Sequence, residues 1–299
     1  MEMNRRDFLK LSGAGVATAL TLGPFSDKTA LATFEKFSAK ESKAVLYDAT
    51  RCIGCRACEA ACKKSNGLPA ETKYNHPEQL SATTWSMIQA TEVENKGNLQ
   101  EVFTKRQCMH CQYPACVEAC IVGALQKTTN GPVIYDDHKC IGCRYCMVAC
   151  PFGVPSFEWD KPVPFIRKCD FCSDQLDAGL EPVCVTTCTT GALTFGGWDE
   201  LITEARKRIA EYPDKYVNHI YGEKEAGGTS WLYLSPVSFE ELGFPALDSK
   251  PVIINAERAM GAVPPVLVVV TATMAGIYWL IQRRLKMSQT KNSHIEGKE

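Results

Sequence analysis

The stretch Cys140-Ile141-Gly142-Cys143-Arg144-Tyr145-Cys146-Met147-Val148-Ala149-Cys150 decides the fold. Its thiols follow the spacing C-x2-C-x2-C-x3-C. A cubane iron–sulfur cluster takes one thiolate per iron, and a tight loop with two residues between thiols can supply three of them. The last Cys of such a run then ligates another cluster, as it does in two-cluster ferredoxins. Gly142 stands between the first two thiols, where a backbone without Cβ can approach a cluster closely.

The pattern recurs on both sides. Val45 to Cys62 aligns with Val133 to Cys150 without a gap. Tyr47-Asp48 falls on Tyr135-Asp136, Cys52-Ile53-Gly54-Cys55-Arg56 on Cys140-Ile141-Gly142-Cys143-Arg144, and Cys58 and Cys62 on Cys146 and Cys150. A second pair also matches: Cys116-Val117-Glu118-Ala119-Cys120 with Gly123-Ala124-Leu125, against Cys184-Val185-Thr186-Thr187-Cys188 with Gly191-Ala192-Leu193. The two remaining groups are Cys108-x2-Cys111-x4-Cys116-x3-Cys120 and Cys169-x2-Cys172-x11-Cys184-x3-Cys188. All 16 Cys of the chain therefore fall into four groups of four. Such repetition means duplicated modules. The expected fold class is α+β, built from duplicated bacterial two-cluster ferredoxin modules and followed by a C-terminal transmembrane helix.

Short apolar runs at Ala44 to Tyr47 and Val133 to Tyr135 predict strands entering the Cys loops, and Ala124 to Gln126 and Ala192 to Phe195 predict strands leaving them. A short helix or turn is expected after each fourth Cys. The insertion between Cys62 and Cys108 reads mostly as loop, with Asn66-Gly67, His76-Pro77 and Lys96-Gly97-Asn98, and a strand near Trp85 to Ala90. Leu201, Ile202, Ala205 and Ile209 recur at helical spacing within Trp198 to Tyr212.

Both ends carry addresses. Asn4-Arg5-Arg6-Asp7-Phe8-Leu9-Lys10, the apolar stretch Leu11 to Leu22, and the small residues Ala30-Leu31-Ala32 make a signal-peptide layout. The paired arginines resemble the twin-arginine signal, a route that exports folded proteins. At the other end, Ala259 to Ile281 is apolar and free of charge. About 20 apolar residues in a helix cross a bilayer core of about 30 Å. Pro264 and Pro265 are expected to kink this helix or to mark its start near Val266. Tyr278 and Trp279 suit the headgroup level, and Arg283, Arg284 and Lys286 keep the far end cytoplasmic. The Cys-rich part is thus expected on the other, periplasmic side. The resulting organisation is a twin-arginine signal peptide over 1–32, the cluster domain over 43–200, a helical and irregular partner-contact tail over 201–258, the transmembrane helix over 259–281 and a cytoplasmic tail over 282–299.

Charge excludes one class of partner. Lys plus Arg number 33 against 34 Asp plus Glu, so no basic surface for nucleic acid is expected. A disulfide framework fits poorly with folding in the reducing cytoplasm before export. Zinc takes C-x2-C pairs, but in separate four-Cys sites that need no interlocked x2-x2-x3 run. His110, between two thiols, reads as a spacer or a supporting donor rather than a ligand. Arg56, Arg144, Arg167 and Lys168 flank the thiols, as potential-raising charges, solvated side chains or partner contacts.

These motifs resemble the four-cluster ferredoxin subunits of membrane-bound bacterial oxidoreductases, such as formate dehydrogenase, dimethyl sulfoxide reductase and uptake hydrogenase. The likeness extends to the HybA type of periplasmic hydrogenase-2. It covers the twin-arginine start, Lys105-Arg106-Gln107-Cys108-Met109-His110-Cys111, the run from Gly142 to Pro151, Tyr221-Gly222-Glu223-Lys224-Glu225 with Gly227-Gly228-Thr229, and the single C-terminal anchor. The resemblance implies four [4Fe–4S] clusters. One would take Cys52, Cys55, Cys58 and Cys188, and a second Cys169, Cys172, Cys184 and Cys62. A third would take Cys108, Cys111, Cys116 and Cys150, and the last Cys140, Cys143, Cys146 and Cys120. Family motifs often place Pro after the fourth Cys. Only Pro151 keeps it, with Lys63, Ile121 and Thr189 at the other positions. The implied role is an electron-transfer subunit between a periplasmic catalytic subunit, of hydrogenase or formate dehydrogenase type, and an integral membrane quinone-reactive subunit. A structural anchor whose clusters lie off the electron path is the alternative of another class. No Ser-His-Asp set, phosphate loop or open metal site is visible, so substrate chemistry is expected in the partner.

Overall fold

The computed structural model describes residues 42–70, 78–95 and 97–296; the expected signal peptide lies outside them. The described residues belong to two units, one reaching to Ile253 and one beginning at Ile254.

In the larger unit, β1 (Lys43–Asp48) is an apolar run without alternation, and such a run is read as a strand covered on both faces. It is the middle strand of a three-stranded sheet. It pairs antiparallel with β8 (Leu193–Gly197), Val45 facing Phe195, and parallel with β9 (Trp231–Leu234), Val45 facing Trp231. One face sends Ala44, Leu46, Leu232 and Leu234 onto Leu201, Ile202 and Ala205 of α6 (Trp198–Glu211). The other sends Val45, Tyr47, Trp231 and Tyr233 into the core that holds Cys58 and Cys184. The segment 201–253 thus adds a buried strand to the sheet besides its helix and irregular stretches.

A smaller version of the same arrangement lies in the middle of the chain. Here β4 (Leu125–Lys127) pairs antiparallel with β5 (Val133–Tyr135), over a core with Cys116, Cys146 and Ile166. The strand entering the first Cys group therefore lies beside the strand leaving the fourth. The strand entering the third lies beside the strand leaving the second.

Helices stand before the fourth thiols, in addition to the helix or turn expected after them. α1 (Ala57–Ser65) carries both Cys58 and Cys62. α2 (Ala115–Glu118), α3 (Tyr145–Ala149) and α5 (Val183–Thr186) likewise lie between third and fourth thiols or overlap them, and turns follow at 121–122, 151–152 and 189–190. The x3 spacing explains this: residues four apart share one helix face, so a helical turn aligns both thiols. α4 (Ser173–Asp177) fills the long gap of the last group.

The insertion before Cys108 is also more ordered than expected. β2 (Ser86–Asn95) and β3 (Asn98–Gln107) form an antiparallel hairpin, from Ser86 facing Gln107 to Asn95 facing Asn98. A two-residue pair, β6 (Ser156–Phe157) with β7 (Ile166–Arg167), closes the third group.

The second unit contains α7 (Ile254–Glu296), which passes through Pro264 and Pro265 rather than starting after them. Within it, the span 259–288 contains an 18-residue window with a mean hydropathy of 1.8 and is long and apolar enough to cross a membrane.

Candidate functional site

Each C-x2-C loop turns through a left-handed residue just before its second thiol. These residues are Gly54 (φ 68°), His110 (φ 47°), Gly142 (φ 70°) and Phe171 (φ 64°). The turn aims backbone N–H groups inward: Gly142 N donates to Cys140 Sγ and Phe171 N to Cys169 Sγ, each at 3.4 Å. Ala124 N donates to Cys120 Sγ at 3.2 Å. Such donors favour an anionic sulfur. Two of the four positions carry side chains despite the backbone, and these meet: the His110 and Phe171 rings pack edge to face at 4.9 Å. His110 is fully buried, its Nδ1 accepts from Val133 N at 2.9 Å, and burial pushes its pKa well down. It acts as a neutral spacer.

Cys62, Cys169, Cys172 and Cys184, from two different groups, line one enclosed cavity together with Ser86, Lys105, Asp170 and Trp231. The indole Nε1 of Trp231 is buried there without a hydrogen-bond partner. Cys111 feels Cys108, Cys150 and Cys116, and Cys146 feels Cys120, Cys140 and Cys143. Cys52, Cys58 and Cys188 lie in one core that also holds Cys184 and Cys111, and Cys55 is exposed. Thiols of different sets also influence one another electrostatically: Cys58 with Cys184, Cys169 with Cys108, and Cys116 with Cys146.

Burial pushes the thiols of Cys58, Cys116 and Cys172 up to about 12 and that of Cys146 up to about 11, and adjacent thiols add to the rise. Cys188 differs: burial raises it, but the Thr190 hydroxyl and nearby N–H groups outweigh this and lower it. Buried thiols packed this closely cannot all ionise unless metal cations neutralise them. Among the described residues, no three His, Cys, Asp or Glu side chains close on one point tightly enough for a single ion. Four thiols from two different groups around one cavity suit a cluster that takes one thiolate per iron. The donor set fits [4Fe–4S] clusters.

Charged residues around the thiols take separate roles. Arg56 reaches Glu59 at 3.5 Å, Arg167 reaches Glu158 at 3.0 Å, and Arg144 lies over the Phe157 and Trp159 rings. Lys168 is buried and donates to the carbonyls of Val133 and Cys169. The residue that motif reading missed is Lys105. It is 1% exposed. Burial alone would lower its pKa, but Cys184, Cys58, Cys62 and Cys169 together raise it. The alternation of β3 could have found it, since Phe103, Lys105 and Gln107 share one strand face.

Asp48 fixes the entry to the first Cys loop. Its fully buried carboxylate accepts from Thr50 N (3.1 Å), Thr50 Oγ1 (2.6 Å), Tyr216 Oη (2.9 Å) and Arg208 Nη1 (3.2 Å). It thereby ties the loop to α6.

Comparison with known proteins agrees with this geometry. Residues 44–121 and 99–198 each match a family described as 4Fe-4S dicluster domain, and residues 2–22 match the twin-arginine translocation signal sequence. The Hydrogenase-2 operon protein HybA of Escherichia coli O157:H7 is 36% identical, over 99% of this chain and 98% of its own. A protein of Nitratidesulfovibrio vulgaris is 41% identical, over 96% of this chain and 79% of its own. The iron-sulfur subunit of the nitrate-inducible formate dehydrogenase of Escherichia coli K12 is 37% identical, over 65% of this chain and 68% of its own.

Proposed function

We propose that this chain, which belongs to the HybA family of 4Fe-4S dicluster proteins, is the electron-transfer subunit of a periplasmic NiFe hydrogenase. It links that catalytic partner to a quinone-reactive subunit in the membrane. Four [4Fe–4S] clusters are assigned to Cys52, Cys55, Cys58 and Cys188; to Cys62, Cys169, Cys172 and Cys184; to Cys108, Cys111, Cys116 and Cys150; and to Cys120, Cys140, Cys143 and Cys146. Bound there, such clusters supply one-electron chemistry at potentials between roughly −700 and +450 mV. The chain itself supplies the thiolates, the N–H donors that favour them and the apolar walls that keep water away. The fold is of α+β class. The twin-arginine signal and α7 together support an inner-membrane protein whose cluster domain over 43–200 faces the periplasm, with 201–258 as the partner-contact segment.

One observation carries this reading most directly. Cys62, the last thiol of the first group, lies in the cavity of Cys169, Cys172 and Cys184. Interlocking of that kind is what two-cluster ferredoxin motifs require. A second reading, the same role in a formate dehydrogenase, is favoured by the 37% identity to such a subunit. That likeness covers less of the chain than the hydrogenase one. The test is electron paramagnetic resonance on washed membranes containing the whole complex, given hydrogen or formate separately. Reduction of the clusters by hydrogen alone is expected. Reduction by formate alone would move the protein to a formate dehydrogenase, and reduction by neither would refute both partners.

A further inference from the structure

We propose that Lys105 is a potential-setting residue, whose buried ammonium raises the reduction potential of the cluster assigned to Cys62, Cys169, Cys172 and Cys184. The inference rests on that ligand assignment.

Lys105 reaches the site from outside every Cys motif, along the inward face of β3. It lines the same enclosed cavity as Cys62, Cys169, Cys172 and Cys184. Its Nζ donates to Gln107 Oε1 at 3.2 Å and lies 5.0 Å from the centre of the Trp231 ring. Both partners are uncharged, so neither cancels the ammonium. Of the nearby carboxylates, Asp170 lines the same cavity and accepts from Cys172 N at 2.9 Å, while Glu59 holds Ile88 N and Arg56.

Reduction adds one negative charge to a cluster. A fixed positive charge beside it lowers the energy of the reduced form, and does so more strongly where water is excluded. Lys105 is placed to act unequally on the sites. It lines the cavity of Cys62, Cys169, Cys172 and Cys184, which no thiol of the first set lines. Its effect is therefore expected to be largest on the cluster held there.

The experiment is a redox titration followed by electron paramagnetic resonance, on washed membranes holding the full-length chain with its partners. Lys105→Met keeps the length of the side chain without its charge. It is expected to lower one midpoint so that the reduced-to-oxidised ratio at a given potential falls tenfold or more, which is 59 mV for a one-electron couple. Lys105→Arg is expected to stay near the original value. Unchanged midpoints in Lys105→Met, with all clusters present, would overturn the inference and leave the ligand assignment intact. Should Lys105→Met not retain its iron, Lys105→Gln is titrated in its place. Cluster loss in both, but not in Lys105→Arg, would make Lys105 a holding group and overturn the tuning role. Cys62→Ser tests the assignment separately: retention of every cluster signal would overturn the assignment itself.

Discussion

Gly54 and Gly142 occupy the same place in the two matching loops, yet replacing them by Ala should have unequal costs. Both have left-handed backbones, with φ of 68° and 70°. A Cβ in that region costs an L-residue about 1–2 kcal/mol. For Gly142 this is nearly the whole cost, because the added atom would meet the Phe157 ring at an ordinary 3.7 Å. At Gly54 it would stand 2.4 Å from the Phe103 ring. The backbone that carries that ring is pinned, since the carbonyl of Phe103 accepts from Tyr47 Oη at 2.8 Å and β3 is paired along its length with β2, so relief must come from the ring's own packing in the core. Overpacking of this kind adds about 1–3 kcal/mol, bringing Gly54→Ala to about 2–5 kcal/mol in all. The assay is the rate at which an iron chelator bleaches the visible iron–sulfur absorbance of the full-length protein. When opening is fast and reversible, this rate follows the open population. Gly142→Ala should bleach about 5–30 times faster than the parent, and Gly54→Ala about 30 to several thousand times faster. Adding Phe103→Leu closes a double-mutant cycle whose coupling term isolates the clash. A coupling below about 0.5 kcal/mol, or equal effects at the two glycines, would refute the argument.

Three further outcomes are expected. Cys120→Ser should remove one cluster and with it hydrogen-dependent quinone reduction in the assembled complex; full-rate reduction after that loss would place the clusters off the electron path. Asp48→Ala leaves Arg208 and Tyr216 without their shared buried acceptor and should cost about 3–5 kcal/mol. At about 2–4 °C per kcal/mol for a unit of this size, Tm should fall by about 6–20 °C in a thermal melt, and a drop of under about 2 °C would mean the network is not stabilising. Ending the chain at Ile253 deletes α7 and should move the protein from the membrane to the soluble periplasmic fraction, as fractionation and immunoblotting would report. Undiminished membrane retention would assign anchoring to the partners instead.

Much of the fold was legible because local signals and the global arrangement agree. The Cys spacing, the apolar runs of β1, β4, β5 and β8, and the helical period of α6 all lie within short windows. What escaped has a common physical cause, the action of residues distant in sequence. β9 finds its partner far away, with Trp231 beside Val45. No local pattern near Trp231 announces a parallel neighbour. The hairpin of β2 and β3 is rich in polar residues, so its strands read mostly as loop although they are paired along their length. Lys105 is not singled out by the sequence because its surroundings come from Cys62, Cys169, Cys184 and Trp231, which only the folded chain brings together. Pro264 and Pro265 leave two outcomes open, a kinked helix or a start near Val266, and the helix begins earlier, at Ile254.

The cross-pairing of β1 with β8 and of β4 with β5 sets a timetable for the newborn chain. The inner strand pair can close as soon as residue 135 has emerged, but β1 must wait for Leu193, and for Trp231 on its other edge. Cys52 likewise leaves the ribosome well before Cys188. At about 5–20 residues per second, that gap lasts about 7–27 s. For that interval the first thiols are synthesised, reduced and unfinished, while the leader that directs export is already in the cytoplasm. A pathway that threaded the chain outward as it was made would carry those thiols into an oxidising compartment before their partners existed. The strand order therefore ties this architecture to late, folded export, and makes premature translocation the failure that its biogenesis has to prevent.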